Sequence, residues 1–211
     1  EKKRTKNYYK IKLLVKNKVF FFILKYCTDN FLCNILACIS VLLILDLNLS
    51  QLKKHFVNFS IPSGRGDITL VKKFNKVFKF IDESYNANPL SMVSAINNMN
   101  HYAKKNNESK IIFLGDMLEL GKKSKKLHKN LSTVINKSNI NKVYVYGKYI
   151  RETFNSLSSR KQGKVFTSLD KAYNHFSKVL NNGDLLMAKG SNATAFNKFS
   201  KRIKKGKISA I

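Results

Sequence analysis

The chain has 211 residues, 44% of them hydrophobic and only two of them proline, with a formal net charge of +28. That length suits one large domain or a domain with a piece of another, and the composition excludes a disordered or collagen-like chain. The charge alone would favour phosphates, nucleic acid or an anionic membrane, but it is nearly all Lys spread from Lys2 to Lys207, with no arginine-rich arm or nucleic-acid-binding motif.

Cys27, Cys33 and Cys38 are odd in number and lack a second Cys pair or a His cluster at zinc-ligand spacing,. They read as reduced thiols packed as small hydrophobes, in a reducing, cytoplasmic setting. Glu1-Lys2-Lys3-Arg4 leads into strand-like alternation rather than a signal-peptide core, and the missing initiator Met suggests a fragment of a longer chain,.

Residues 8–15 and 18–26 alternate or run apolar around Lys16-Asn17-Lys18, a β-hairpin pattern,. Asp29 or Asn30 can cap a helix over 31–46,. Residues 31–49 are as long as a membrane span, but Asn34 and Asp46 interrupt them, and a charge within a span costs ~2.5–3.5 kcal/mol. A buried core helix is the expectation. Asn48 or Ser50 caps a second helix carrying Leu52, Phe56 and Val57. Ile61-Pro62-Ser63-Gly64-Arg65-Gly66-Asp67 is a turn-rich linker, giving two expected domains, 1–62 and 63–211,.

Residues 68–74 and 77–82 read as a second hairpin. Strands near 111–114, 143–146, 164–166 and 185–188 then alternate with helical patterns. The expected fold class is α/β: a Rossmann-like, mostly parallel sheet with helices on both faces, preceded by a β-hairpin and two helices. No Gly-x-Gly-x-x-Gly fingerprint supports a dinucleotide,.

Three polar loops follow strands and should gather on one sheet edge, where open α/β sheets bind ligands. Asp82-Glu83-Ser84-Tyr85-Asn86-Ala87-Asn88-Pro89 combines two carboxylates, a phenol and two amides ahead of a helix,. It is either a binding loop or an ordinary turn capped by Asn88. In Gly115-Asp116-Met117-Leu118-Glu119-Leu120-Gly121, two glycines bracket two carboxylates, forming a pocket for an amine or a turn with Asp116 as a helix cap,. Lys189-Gly190-Ser191 could hold a carboxylate or phosphate, or Lys189 could be solvated,. Arg65 offers a planar fork for phosphate or carboxylate. Ser124 and His128 share a helix face, and His128 reads as a packed or surface residue,. The residues provide no catalytic nucleophile–base pair and no metal site.

Asp-Glu-Ser-Tyr-Asn-Ala-Asn-Pro-x-Ser-Met from Asp82 resembles the signature opening the C-terminal domain of Mur ligases. Ser63-Gly64-Arg65-Gly66, Leu114-Gly115-Asp116-Met117-Leu118-Glu119-Leu120-Gly121 and Lys189-Gly190-Ser191 fall in the same family order. The likeness is to the branch that adds D-alanyl-D-alanine to UDP-N-acetylmuramoyl-tripeptide through an acyl phosphate, in the synthesis of peptidoglycan precursors. It implies ATP and Mg²⁺, those two substrates as partners, and residues 1–62 as the end of a central ATP-binding domain. It also implies nucleotide contacts from Asn30, Asn34, Arg65 and Asp82 or Glu83. Asn34 matches the second residue of the family's His-x-x-x-Asn pattern, with Asn30 where His is usual; Glu83 stands where the family usually has Asp. Tyr85, Asn86, Asn88, Asp116, Glu119, Lys189 and Ser191 would line the dipeptide side. No Gly-x-x-x-x-Gly-Lys-Ser/Thr phosphate loop occurs,, so the chain alone is expected to be inactive, a truncated copy or one half of a split enzyme. A non-catalytic basic α/β module binding nucleotide or nucleic acid is the alternative.

Overall fold

The structure, a computed structural model, describes residues 1–6, 8–15, 17–25, 27, 29–102 and 107–210, and within them the side chains other than those of residues 29, 30, 53 and 210. The chain forms two compact units, Glu1–Ile61 and Pro62–Ile211.

The first unit is a three-stranded antiparallel sheet of β1 (Lys2–Arg4), β2 (Tyr9–Val15) and β3 (Lys18–Leu24) with helix α1 (Asp29–Ile44). Strand alternation sends Ile11, Phe22 and Leu24 inward against Ile35, Ile39, Leu49 and Phe56,. Within the described residues the helix buries Ile35 and Ile39, while Val41 and Ile44 are exposed. Cys27 is buried, but Cys33 and Cys38 lie exposed on that helix instead of packing as core thiols. The second expected helix shortens to one turn, α2 (Leu49–Leu52), then a 3-10 segment, Lys53–Asn58. Asn48 Oδ1 accepts the Ser50 N–H at 2.9 Å at its start. Among the described residues, no helix is long and apolar enough to cross a membrane.

The second unit holds a seven-stranded sheet. Strands β4 (Asp67–Lys73) and β5 (Lys76–Glu83) form an antiparallel hairpin. Helix α3 (Pro89–His101), strand β6 (Lys110–Gly115), helix α4 (Ser124–Lys137), strand β7 (Lys142–Tyr146) and helix α5 (Ile150–Asn155) follow. Strand β8 (Gln162–Phe166), helix α6 (Leu169–Val179), strand β9 (Leu185–Lys189), helix α7 (Phe196–Lys204) and strand β10 (Lys207–Ala210) complete the chain order. The sheet order is β10-β4-β5-β9-β6-β7-β8, parallel from β5 to β8. The last strand, β10, was not anticipated; it is a short edge strand antiparallel to β4.

Strands β6 and β9 are buried at every position, as central strands covered on both faces must be. Alternation splits them: Ile112, Leu114 and Met187 face the core shared with Met92, Ile96, Leu131 and Ile135 of α3 and α4. Phe113, Leu186 and Ala188 face Phe176, Phe196 and Phe199 of α6 and α7. The carboxyl ends of β5, β6, β7 and β9 therefore open along one sheet edge.

Candidate functional site

Glu83 and Lys189 are the last residues of β5 and β9 and pair in register. Lys189 Nζ lies 3.1 Å from Glu83 Oε2 and donates to the Asn86 carbonyl oxygen at 3.0 Å. Ser191 Oγ donates to Asn86 Oδ1 at 3.3 Å, and its N–H donates to the Asp116 carbonyl at 3.1 Å. The three loops thus meet. Lys189 is 2% exposed, whereas the Glu83 side chain is 19% exposed. Burial raises the Glu83 carboxyl above the usual carboxylate range, and Lys189 offsets part of that rise,.

Asp82 points to the opposite face. Its Oδ1 accepts from Ser84 N–H at 3.1 Å and Ser84 Oγ at 2.6 Å. Its Oδ2 lies 2.5 Å from Lys204 Nζ on α7, and the same ammonium reaches Asp67 Oδ2 at 2.6 Å and Ser63 Oγ at 3.0 Å. Burial pulls the Lys204 pKa down, but the hydrogen bonds and charges of Asp67 and Asp82 outweigh it and raise it overall. The loop before β4 is drawn onto this ion cluster. Gly66 N–H donates to the Asp82 carbonyl at 2.7 Å, Tyr85 N–H to the Gly64 carbonyl at 3.0 Å, and Gly64 N–H to Asp67 Oδ1 at 2.7 Å. Gly64 and Gly66 have φ of 82° and 96°; a Cβ on Gly66 would stand 2.9 Å from Glu83 Oε1,. Arg65 is thereby laid over the exposed Tyr85 ring, 4.1 Å from its centroid,.

Asp116 is 6% exposed. Oδ1 accepts from the Tyr149 and Ile150 amides at 2.9 and 2.7 Å, and Oδ2 from Lys148 N–H at 2.8 Å. It caps α5, the helix after the next strand, not its own. His128 is buried, as a packed residue should be. Its Nε2 accepts from Met117 N–H at 2.9 Å, so Nδ1 carries the proton toward the Ser124 carbonyl at 2.8 Å,. Glu119 is exposed at φ 63° beside this loop. Asn88 caps α3 in a reciprocal box: its Oδ1 accepts from Ser91 N–H at 2.8 Å, and Ser91 Oγ accepts from Asn88 N–H at 3.1 Å,. Asn34 is exposed on α1, in the other unit; the Asn30 side chain lies outside the described residues.

Lys204 escaped sequence reasoning, being one lysine among many. Its acidic partners lie more than a hundred residues away, so no local pattern marks it. The acidic groups do not fit a magnesium site, because Asp82 and Asp116 are committed to internal donors. Among the described residues, no group of three or more His, Cys, Asp or Glu could hold a metal. No step is therefore assigned to a metal on this chain.

The model of the family "Mur ligase, glutamate ligase domain" matches residues 68–192, from β4 to the loop after β9. The chain belongs to the Mur ligase family. It is 25% identical over 184 residues to the UDP-N-acetylmuramoyl-tripeptide–D-alanyl-D-alanine ligase of Rickettsia prowazekii, covering 87% of this chain and 39% of that protein. It is 32% identical over 151 residues to the protein of the same name from Buchnera aphidicola, covering 70% of this chain and 30% of that one. The chain thus spans well under half the length of these family relatives. In fold it is similar to the MurF ligase of Thermotoga maritima solved in complex with ADP, with a TM-score of 0.75 at 20% identity, over 98% of this chain and 45% of that one.

Proposed function

We propose that this chain supplies the loop-bearing part of an ATP-dependent ligase that joins D-alanyl-D-alanine to UDP-N-acetylmuramoyl-tripeptide in the cytoplasm. The observation that carries this reading is the junction of Glu83, Asn86, Lys189 and Ser191, where three family motifs meet at the carboxyl edge of the sheet. In the proposed reaction the terminal carboxylate of the tripeptide takes the phosphoryl group of ATP, releasing ADP. The dipeptide amine then attacks the acyl carbon, loses a proton and expels phosphate.

Arg65 is suited to the nucleotide. It is exposed, and among the described residues no carboxylate pairs with it. Of the two adjacent acids, Glu83 fits the nucleotide side better, since Asp82 is consumed by Ser84 and Lys204. Tyr85, Asn86, Glu119, Lys189 and Ser191 are assigned to the dipeptide side, where Lys189 holds Glu83 and the Asn86 carbonyl in place. Asn88 and Asp116 act as positioning residues, the first fixing the start of α3 and the second the start of α5. Asn30 and Asn34 are assigned to the adenine, on the first unit as the end of a central ATP-binding domain. Without a phosphate loop of its own, the chain needs a segment that carries one, together with the Mg²⁺ the reaction requires.

Titration calorimetry of the chain with ADP and with D-alanyl-D-alanine tests the reading. Saturable binding of both, with the dipeptide affinity lowered in Lys189→Ala, is expected. Failure of both to bind, with salt-sensitive binding of random oligonucleotides instead, would favour a basic nucleic-acid-binding module.

A further inference from the structure

The Arg65 loop lies beside two acidic side chains that could take its guanidinium out of service. Asp67 is two residues further on, and Asp82 is paired with Asp67 across the β4–β5 hairpin. A guanidinium prefers a carboxylate fork to an aromatic face when both are in reach, since the charge-assisted pair is the stronger contact. Yet Arg65 rests on Tyr85. The two carboxylates are instead occupied by one ammonium, that of Lys204, which also holds Ser63 at the start of the loop. The Lys204 side chain is 17% exposed and comes from α7, more than a hundred residues away in sequence.

Resting on the proposed function, we propose that Lys204 is a positioning residue for nucleotide binding: by neutralising Asp67 and Asp82 it leaves Arg65 presented over Tyr85 for an anionic ligand. Its ammonium touches no ligand itself. The last helix of the unit thereby sets the loop that leads into β4, and the polyphosphate of the nucleotide is the class of ligand served. Asp67 has a second task, accepting the Gly64 N–H, which an amide oxygen can also perform.

The experiment compares the full chain with its Lys204→Met and Lys204→Met/Asp67→Asn variants. Two readouts are taken: the NMR shift of the Arg65 side-chain Nε–H, which the Tyr85 ring current displaces, and the dissociation constant for ADP. The single variant should lose the ring-current displacement and bind ADP roughly tenfold more weakly. The double variant, which removes one carboxylate but keeps the Gly64 acceptor, should recover most of both. A packing role for Lys204 would give no such recovery. An unchanged Arg65 signal in a folded Lys204→Met variant would overturn the proposal, as would a loss of both readouts that the double variant fails to restore. If the unmodified chain does not bind ADP, the nucleotide reading falls, while the Arg65 signal still decides whether Lys204 sets the loop.

Discussion

Glu83 and Lys189 face each other at the ends of adjacent parallel strands, with 3.1 Å between Oε2 and Nζ and only 2% of the lysine exposed. Parallel register alone brings together residues more than a hundred positions apart. Removing one partner of a buried pair strands the other. Lys189→Met is therefore expected to destabilise the second unit by about 3 kcal/mol in urea unfolding, and Lys189→Met/Glu83→Gln to recover most of it. A single variant as stable as the parent would show that the pair is not buried as described.

Asp116 ties β6 to the start of α5 through three amides. Asp116→Ala should cost about 2 kcal/mol, the upper range for loss of a cap. Amide exchange at Lys148, Tyr149 and Ile150 should quicken more than exchange in α6. Uniform quickening would mean that the carboxylate has no local role.

Phe113 packs against Phe166, Phe176, Phe196 and Phe199, with ring centroids 5.9, 5.4, 4.7 and 4.9 Å away. Phe113→Ala should lower stability by about 3–5 kcal/mol through the cavity it leaves, measured as a lower urea midpoint with an unchanged slope.

His175 lies against Tyr144 and Phe166, and its Nε2 is buried without a hydrogen-bond partner. Burial first, then Lys164 and Lys178, lower its pKa below 6.5. The unfolded chain therefore binds the proton more readily, and the contribution of neutral His175 to stability is present above pH 6.5 and lost as pH falls through the folded value,. Relative to His175→Gln, the parent should lose melting temperature on acidification below that pH. Parallel curves would contradict the shift.

The alternating strands and helices of the second unit were legible because each has a clear hydrophobic period, and the meeting of the loops followed from the parallel topology. Asp82 and Glu83 looked interchangeable in sequence. Alternation along β5 sends them to opposite faces, where α7 claims one and β9 the other. Partners that distant leave no local trace. Neither Lys204 at Asp82 nor the amides of residues 148–150 at Asp116 could be read from periodicity. The partial exposure of α1 was also hidden, because an apolar run records what a helix could bury and not how many faces its neighbours cover.

The most direct test of the ligase reading is an amide NMR titration of the chain with D-alanyl-D-alanine. Saturable shifts confined to residues 83–86, 115–120 and 189–191 are the expected result, weakened in a Lys189→Ala variant shown to be folded under the conditions of the titration. Shifts scattered over surface lysines, or none at these loops up to high ligand concentration, would contradict it.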